Sequence, residues 1–325
     1  MIVTVTPNPS IDRTVTLNTP LTRGAVHRLG SVTDEPGGKG VNVSRALALA
    51  GLDTLAVLPA GDGDPMLAAL RAIGLSFRNV PIPGQVRTNL AVTENDGTTT
   101  KLNEPGAALD ASALQELTHT VLQAAQRADW VVLSGSLPPG IPARWYADVV
   151  AELARYDCCV AVDTSDAPLA ALADGFGTAA PDVIKPNAEE LAGLTGHSAE
   201  EMETAAAQGD TRPVVAAARQ LVDRGAAAIL VTLGAAGAVL VDGAGSWLAT
   251  PPPTVPRSTV GAGDSSLAGY VRAALEGAAP AQRLQMAVAY GSAAAALPGS
   301  ALPAPLQINT EAVAVRSLSP SVTGS

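Results

Sequence analysis

Two glycines precede an aspartate in the stretch Val260-Gly261-Ala262-Gly263-Asp264-Ser265. A helical pattern runs from Asp264 to Glu276, so the glycines lie at a helix N-terminus. Backbone amides at such a position, unobstructed by side chains, form a ready anion site. An aspartate in the first turn is placed to accept a proton from an attacking hydroxyl while the amides hold a transferring phosphoryl group. A plain strand-to-helix turn, in which Asp264 only caps the helix, stays open as an alternative.

Around this stretch, short apolar runs alternate with longer amphipathic, alanine-rich segments. The runs predicted as buried strands are Ile2–Thr6, Thr54–Pro59, Trp130–Leu133, Cys159–Val162, Val183–Ile184, Ala227–Thr232 and Ala238–Val241. The segments predicted as helices are Asn42–Ala50, Pro65–Ile73, Ala111–Gln126, Ala143–Tyr156, Ala188–Leu194, Pro213–Arg224, Asp264–Glu276 and Ala281–Leu297. This alternation predicts an α/β fold with a mostly parallel central sheet and helices on both faces. In such sheets ligands bind outside the carboxyl ends of the strands.

Two regions break the alternation. Residues 11–33 and 84–103 are rich in Thr, Val and Arg, and the second contains the turn signal Asn95-Asp96-Gly97. We expect both insertions to form a small second β-sheet that lies as a lid over the strand ends. The whole domain is expected to span residues 1–310, followed by a flexible tail over 311–325.

The composition excludes several classes of function. The chain has 325 residues, a net charge of −10 and 20 basic residues, of which only Lys39, Lys101 and Lys185 are lysines. Such an acidic chain is a poor binder of nucleic acid or of anionic membranes. It contains no apolar run near the roughly 20 residues that span a membrane. No secretion signal or disulfide framework is visible, so we expect a cytoplasmic protein whose few cations are concentrated where an anionic substrate binds.

Two of the lysines lie in short motifs that suit phosphate chemistry. The motif Pro36-Gly37-Gly38-Lys39-Gly40-Val41-Asn42 joins a point charge to glycines that allow close approach of a ligand. It is not a P-loop, because the first glycine and the Ser or Thr after the lysine are missing. In Lys185-Pro186-Asn187-Ala188-Glu189-Glu190, the oxygens of Asn187 and Glu190 share a helical face and can hold water around Mg²⁺. A surface turn and an ordinary helix start stay open as alternatives.

Three weaker stretches complete the set. Asp12 follows the first strand, where a carboxylate can accept hydrogen bonds from sugar hydroxyls. Arg87 and Asn89 flank one residue on a predicted lid strand and therefore share a face. A tight loop with Ser136 follows the strand at 130–133 and is not a Gly-x-Ser-x-Gly nucleophile elbow.

In this order, the motifs resemble those of the ribokinase-like (PfkB) family of sugar kinases over residues 1–310. The motifs that carry the resemblance are Thr6–Asp12, Gly37–Val43, Arg87–Asn89, Gly135–Gly140, Lys185–Leu191, Thr232–Gly237 and Val260–Ser265. Gly-Gly-Lys-Gly together with Arg-Thr-Asn is similar to the branch that acts on sugar phosphates, above all on fructose 1-phosphate. The resemblance implies a ribokinase-like fold, ATP and Mg²⁺ as cofactors, and a homodimer formed through the lid sheets.

The resemblance also implies roles for individual residues. Asp264 is the implied base, and the amides of Gly261, Ala262 and Gly263 are the implied anion hole. The other implied positions are Asp12, Gly38 and Asn42 for the sugar hydroxyls; Lys39, Arg87, Asn89 and Ser136 for the substrate's phosphate; Lys185, Asn187, Thr232, Gly234, Gly237 and Gly263 for the nucleotide; and Asn187 and Glu190 for Mg²⁺ through water. Lys101 matches no family motif, and we expect it to be a solvated lid residue.

The implied reaction is ATP-dependent phosphorylation of fructose 1-phosphate at the 6-hydroxyl to give fructose 1,6-bisphosphate. A rival is the same chemistry on tagatose 6-phosphate or fructose 6-phosphate, with the hydroxyl on carbon 1 as the nucleophile. An inactive sugar-phosphate-binding regulator is a third possibility. It is disfavoured because Asp264, Asn187 and Glu190 are all present.

Overall fold

The computed structural model describes residues 1–318. The strands are β1 (Ile2–Val5), β2 (Ser10–Leu17), β3 (Leu29–Gly37), β4 (Thr54–Ala60), β5 (Phe77–Pro81), β6 (Arg87–Thr93), β7 (Thr99–Asn103), β8 (Trp130–Ser134), β9 (Cys159–Asp163), β10 (Val183–Ile184), β11 (Ala228–Thr232), β12 (Ala238–Asp242), β13 (Gly245–Thr250) and β14 (Ala314–Ser317). The helices are α1 (Lys39–Leu49), α2 (Pro65–Ala72), α3 (Ala111–Ala125), α4 (Trp145–Leu153), α5 (Asp166–Asp174), α6 (Ala188–Thr195), α7 (Ala199–Ala207), α8 (Arg212–Asp223), α9 (Ala262–Leu275) and α10 (Pro280–Ala295). Among these described helices, none has the length and apolarity to cross a membrane.

Ten strands form the main sheet, in the order β14-β13-β12-β11-β10-β9-β8-β1-β4-β5. The pairs from β11 to β5 are parallel, and only the three pairs from β11 to β14 are antiparallel. Side chains alternate between two cores: Val131 belongs to the core on one face, whereas Val132 belongs to the other. Burial on both faces explains why the central strands are continuous apolar runs. The predicted mostly parallel sheet is confirmed.

The second sheet contains four strands in the order β3-β2-β6-β7. Strands β2 and β6 pair in parallel, and the two outer pairs are antiparallel. The predicted small sheet is therefore confirmed, although β3 continues to Gly37, beyond the predicted limit at residue 33. Strand pairing places Val15, Val32 and Val92 on one face of this sheet and Asp12 and Asn89 on the other.

Several elements were not predicted from the sequence. Helix α7 buries only Met202 and Ala206, so its apolar periodicity is weak. Strand β14 has no buried residue and pairs with β13 along its whole length. Residues Ala314–Ser317, which lie within the tail expected to be flexible from residue 311, are hydrogen-bonded to β13 as strand β14. Residues 319–325, which the expectation also covers, lie outside the described residues.

The carboxyl ends of the central parallel strands meet along one edge of the main sheet. Ser134 ends β8, Asp163 ends β9, and Lys185 follows β10 directly. The order β10-β9-β8 places these polar residues side by side. All three are buried, so this edge of the sheet holds a group of buried polar side chains.

Candidate active site

Asp264 lies in the first turn of α9, at the edge of the main sheet. The helix begins after Gly261, whose φ of +75° is a conformation that glycine adopts at little cost. The carbonyl of Gly261 accepts from the amide of Ser265 at 2.8 Å, which closes the first helical turn. The amide of Ala262 already donates weakly to Thr259 at 3.4 Å. The first turn thus joins a carboxylate to the positive end of a helix.

The carboxylate of Asp264 is buried, with 7% of the residue exposed. Its Oδ2 accepts a hydrogen bond of 2.9 Å from Nδ2 of Asn42 on α1. Burial and repulsion from Asp163 raise the pKa of Asp264 to about 6, against the attraction of Lys39, the Asn42 bond and Lys185. A carboxyl group with a pKa close to neutrality is suited to general-base work at physiological pH.

Asp163 holds both motif lysines at once. Nζ of Lys39 lies 2.9 Å from Oδ1 of Asp163, and Nζ of Lys185 lies 3.1 Å from Oδ2. Burial alone would raise the pKa of Asp163, but attraction by Lys185 and Lys39 outweighs it and lowers the pKa. Asp163 is therefore an anion buried between two cations. Sequence reasoning missed it, although a polar residue at the end of the apolar run 159–162 was the available signal.

The two lysines lie at one centre, not at opposite ends of the site. Burial lowers the pKa of Lys39, but attraction by Asp163 and Asp264 outweighs it, so the net shift is upward. A Cβ placed on Gly263 would lie 3.2 Å from Nζ of Lys185, so the bare glycine lets the ammonium group approach the start of α9. Positive charge therefore surrounds Asp264 on the side where an anion would meet the helix amides.

Asn187 and Glu190 cap α6 reciprocally. The amide of Asn187 donates to Oε2 of Glu190 at 2.8 Å, and the amide of Glu190 donates to Oδ1 of Asn187 at 2.7 Å. This capping box satisfies two orphan amides and fixes both side chains. Burial raises the pKa of Glu190, with Lys39 among the groups that oppose the rise.

The donor set around Glu190 fits Mg²⁺ only with ligands from outside the chain. Within residues 1–318, no group of three or more His, Cys, Asp or Glu side chains is arranged to hold a metal ion. Mg²⁺ usually keeps several waters and is bound by one or two carboxylates plus substrate phosphates. Glu190 supplies one fixed carboxylate of this kind, so the residues fit a hydrated ion carried by a nucleotide.

A second polar group lies on the inner face of the lid sheet. Parallel pairing sets Asp12 opposite Asn89, and Nδ2 of Asn89 donates to Oδ1 of Asp12 at 3.1 Å. Burial raises the pKa of Asp12, opposed by hydrogen bonds from Ser10 and Asn89. Nη1 of Arg87 donates to the Glu104 carbonyl at 3.1 Å, while its buried Nε has no partner. An unpartnered guanidinium donor is available to an anionic ligand.

The glycines of the Lys39 motif allow this close assembly. Gly38 has a φ of +100°, and a Cβ there would lie 2.7 Å from Cγ2 of Thr6. A Cβ on Gly37 would lie 2.2 Å from Oδ2 of Asp12. Larger residues would therefore push the start of α1 away from β1 and from the lid.

The other predicted site residues are placed as follows. Ser136 accepts from Nδ2 of Asn8 at 3.2 Å in the loop after β8. Thr232 ends β11 beside Asn187, and its amide donates to Pro186 at 3.0 Å. Gly234 begins the turn that follows. A Cβ on Gly237 would lie 2.0 Å from the Ala249 carbonyl, so packing against β13 already requires that glycine.

A cavity of about 710 Å³ lies between the lid and the main domain. Asp12 and Asn89 line it from the lid, and Val260 and Ser300 line it from the opposite side. Its volume falls within the range of about 300–1,000 Å³ that is usual for small-molecule sites. Lys101, which sequence reasoning left unassigned, also lines this cavity.

The chain is similar over most of its length to known carbohydrate kinases. The family model described as pfkB family carbohydrate kinase matches residues 6–307. A 1-phosphofructokinase from Xanthomonas campestris pv. campestris is 37% identical over 279 residues, 85% of each chain. A 1-phosphofructokinase from Rhodobacter capsulatus is 37% identical over 326 residues, 98% of each chain. A crystal structure of phosphofructokinase-2 from Escherichia coli in complex with substrates and products has a TM-score of 0.85 and 30% identity, covering 95% of this chain and 97% of that chain.

These findings confirm the ribokinase-like fold and make the protein a sugar-phosphate kinase. ATP, typically with Mg²⁺, is the phosphoryl donor of kinases of this kind. The matched segment contains every motif quoted above, from Asp12 to Asp264. The chain belongs to the pfkB family of carbohydrate kinases.

Proposed function

We propose that the protein transfers the γ-phosphoryl group of ATP to the 6-hydroxyl of fructose 1-phosphate, giving fructose 1,6-bisphosphate. The observation that carries the proposal is the buried Asp264 at a helix N-terminus, hydrogen-bonded to Asn42 and flanked by Lys39 and Lys185. The relatives named 1-phosphofructokinase support the choice of acceptor.

Asp264 accepts the proton of the attacking hydroxyl. With a pKa of about 6, its carboxylate is mostly ionised at neutral pH and is still basic enough to take a proton as the new O–P bond forms. The amides of Gly261, Ala262 and Gly263 stabilise the charge on the transferring group, together with the ammonium group of Lys185. When bound with the nucleotide, Mg²⁺ neutralises phosphate charge, and Asn187 and Glu190 would hold its waters.

The acceptor lies between the lid and the main sheet in this proposal. Its hydroxyls bind Asp12, Gly38 and Asn42, and the cavity beside Asp12 gives it room. The unpartnered Nε of Arg87, which lies outside the lining of that cavity, supports a phosphate ligand at the start of β6, on the same face of the lid sheet as Asp12. The residues proposed for the phosphate are Lys39, Arg87, Asn89 and Ser136, and those proposed for the nucleotide are Lys185, Asn187, Thr232, Gly234, Gly237 and Gly263.

The experiment compares kcat/KM for fructose 1-phosphate, fructose 6-phosphate and tagatose 6-phosphate, with ATP and Mg²⁺ and with Asp264→Asn as the blank. Fructose 1-phosphate is expected to be preferred. A preference of more than about tenfold for either 6-phosphate, or about 1.4 kcal/mol of transition-state binding, would overturn the proposed acceptor. Binding of a sugar phosphate without turnover of any of the three would favour an inactive regulator.

Phosphorylation of a ketose 6-phosphate on carbon 1 is the second candidate. It is favoured by the likeness to phosphofructokinase-2 from Escherichia coli at a TM-score of 0.85. Both reactions use the same base and anion hole, so the acceptor comparison alone separates them.

We also propose a homodimer formed through the lid sheets. The outer face of the lid carries Val32 and Leu102, which are 52% and 58% exposed, beside the buried Val15. A second copy of the same apolar face would cover them. Light scattering should give twice the chain mass, and Val32→Glu should shift the protein towards a monomer. A monomeric wild type would refute the dimer.

A further inference from the structure

Arg45 contacts three partners with one guanidinium group. It lies on α1, one turn after Asn42, and its side chain is 13% exposed. Nη1 donates to the Pro36 carbonyl at 3.0 Å and to Oδ1 of Asn42 at 3.5 Å, and Nη2 lies 3.5 Å from Oε1 of Glu35. None of the family motifs in the sequence assigned a role to this arginine.

Glu35 extends the network into the rest of the molecule. Its second carboxylate oxygen accepts a hydrogen bond from the hydroxyl of Ser300, in the segment after α10. Glu35 and Pro36 belong to β3, where Glu35 pairs with Asp12 on β2. A single buried cation thus connects the inner end of the lid to α1, which carries Asn42.

The orientation of the Asn42 amide depends on both of its neighbours. Arginine only donates hydrogen bonds, and an ionised carboxylate only accepts them. Arg45 therefore requires the oxygen Oδ1 on its side, which leaves the Nδ2 group to donate to Asp264. A flipped amide would place two acceptors face to face at Asp264 and lose both bonds.

We propose that Arg45 is a positioning residue for phosphoryl transfer: it ties the end of the lid to Asn42 and holds the amide in the orientation that donates to Asp264. Arg45 itself does not touch the reacting atoms. Its effect passes through Asn42. The same side chain therefore positions both the lid strand β3 and the hydrogen bond to the base Asp264. The proposal rests on the proposed function, because the transfer step is its readout.

A purely structural role predicts a different pattern. If Arg45 only anchored β3, its loss would loosen the lid and raise the KM for the acceptor, whose site contains Asp12. Arg45 also bears positive charge towards Asp12, and loss of that charge would likewise appear in KM. Misorientation of the amide at Asp264 appears in kcat instead, since it affects the transfer step.

The test measures kcat and KM for fructose 1-phosphate with Arg45→Met, Arg45→Lys and the surface control Arg155→Met. Arg155 forms an exposed ion pair with Glu152, so its variant should match the wild type. We expect Arg45→Met to lower kcat about tenfold or more with little change in the KM for ATP, because small errors in catalytic geometry cost about that much. Arg45→Lys keeps a donor and should recover part of kcat, which keeps the test valid if the Met variant folds poorly.

A double-mutant cycle with Asn42→Ala separates the route through the amide from other routes. In the Asn42→Ala background, Arg45→Met should lower kcat no further, because the amide that it positions is gone. Additive losses in kcat, or a loss confined to the acceptor KM, would overturn the inference while leaving the kinase proposal intact. An inactive wild type with all three sugar phosphates would overturn the kinase proposal itself.

Discussion

Asn42 and Asp264 are 222 residues apart in the chain and are joined by a hydrogen bond of 2.9 Å. The bond connects the first helix, which directly follows the lid strand β3, to the first turn of α9. It gives the buried carboxylate of Asp264 one neutral donor in addition to the nearby ammonium groups. In the proposed site, Asn42, which binds the acceptor, therefore contacts the base Asp264 directly.

Replacing Asp264 by Asn should lower kcat by at least about 10²-fold, the usual contribution of a positioned base. The substitution keeps the size of the side chain and removes its negative charge together with its ability to take a proton. Binding of fructose 1-phosphate, measured by calorimetry, should stay within about threefold of the wild type. Near-full activity of this variant would remove Asp264 from the role of base.

The pH dependence of kcat/KM, which reports the groups of the free enzyme, should show an acidic limb near pH 6. The pKa of Asp264 is raised to about 6, so its carboxylate becomes protonated, and unable to act as a base, as the pH falls through that value. We expect kcat/KM at pH 5 to be about a tenth of its value at pH 7 once it is corrected for the ionisation of the sugar phosphate, which also titrates near pH 6. A flat profile between pH 7 and pH 5 would contradict the assignment.

Asp163→Asn should destabilise the protein strongly. The buried Lys185 would lose the carboxylate that balances it, and breaking a buried pair in this way costs about 3–5 kcal/mol of unfolding free energy. Urea denaturation measures the loss. The control is Asp148→Asn, which breaks an exposed pair with Arg144 and should cost no more than about 0.5 kcal/mol. Equal effects of the two variants would show that Asp163 is not a structural anion.

Lys39→Ala should raise the KM for the sugar phosphate, which is its proposed ligand. Because Lys39 also attracts Asp264, we expect kcat to fall as well. Arg155→Ala is the control, since Arg155 forms an exposed ion pair with Glu152 and does not line the cavity. An unchanged KM for Lys39→Ala in steady-state kinetics would show that this lysine does not bind the substrate's phosphate.

Asp166→Gly should stabilise the protein slightly. Asp166 has a φ of +54° at the start of α5, and among residues 1–318 it is the one non-glycine with a positive φ. A left-handed conformation costs about 1–2 kcal/mol for a residue with a Cβ, whereas glycine costs about 0.5–1 kcal/mol of chain entropy. The net gain is about 0.5 kcal/mol, measured as a rise in Tm; a fall in Tm would mean that the contact from Ser165 matters more.

The main sheet was predictable because its central strands are buried on both faces. Val131 and Val132 lie in different cores, so no polar residue interrupts this apolar run of the sequence. Such an uninterrupted run predicts a buried strand. Strand β14 has no buried residue, and its place depends entirely on pairing with β13. Nothing local in the sequence encodes that pairing.

The candidate site was predictable where a motif carried the chemistry and not where the topology did. The glycines before Asp264 predict an anion site at the N-terminus of a helix. The role of Asp163 arises only from the topology: β9 pairs with β10, which Lys185 follows, and the start of α1 brings Lys39 to the same carboxylate, although the two lysines are 146 residues apart. From the sequence alone, Arg45 is an ordinary helical arginine, because its partners on β3 are known only from the structure.

The shared carboxylate of Asp163 has a consequence for which anions the protein retains. Together with Lys39 and Lys185 it leaves one unit of positive charge, which the nearby carboxylate of Asp264 opposes, so a chloride ion gains little by entering. A polyanion offers several oxygens and can contact both ammonium groups at once. We therefore expect this trio to favour phosphate chains over the monovalent anions that surround the protein.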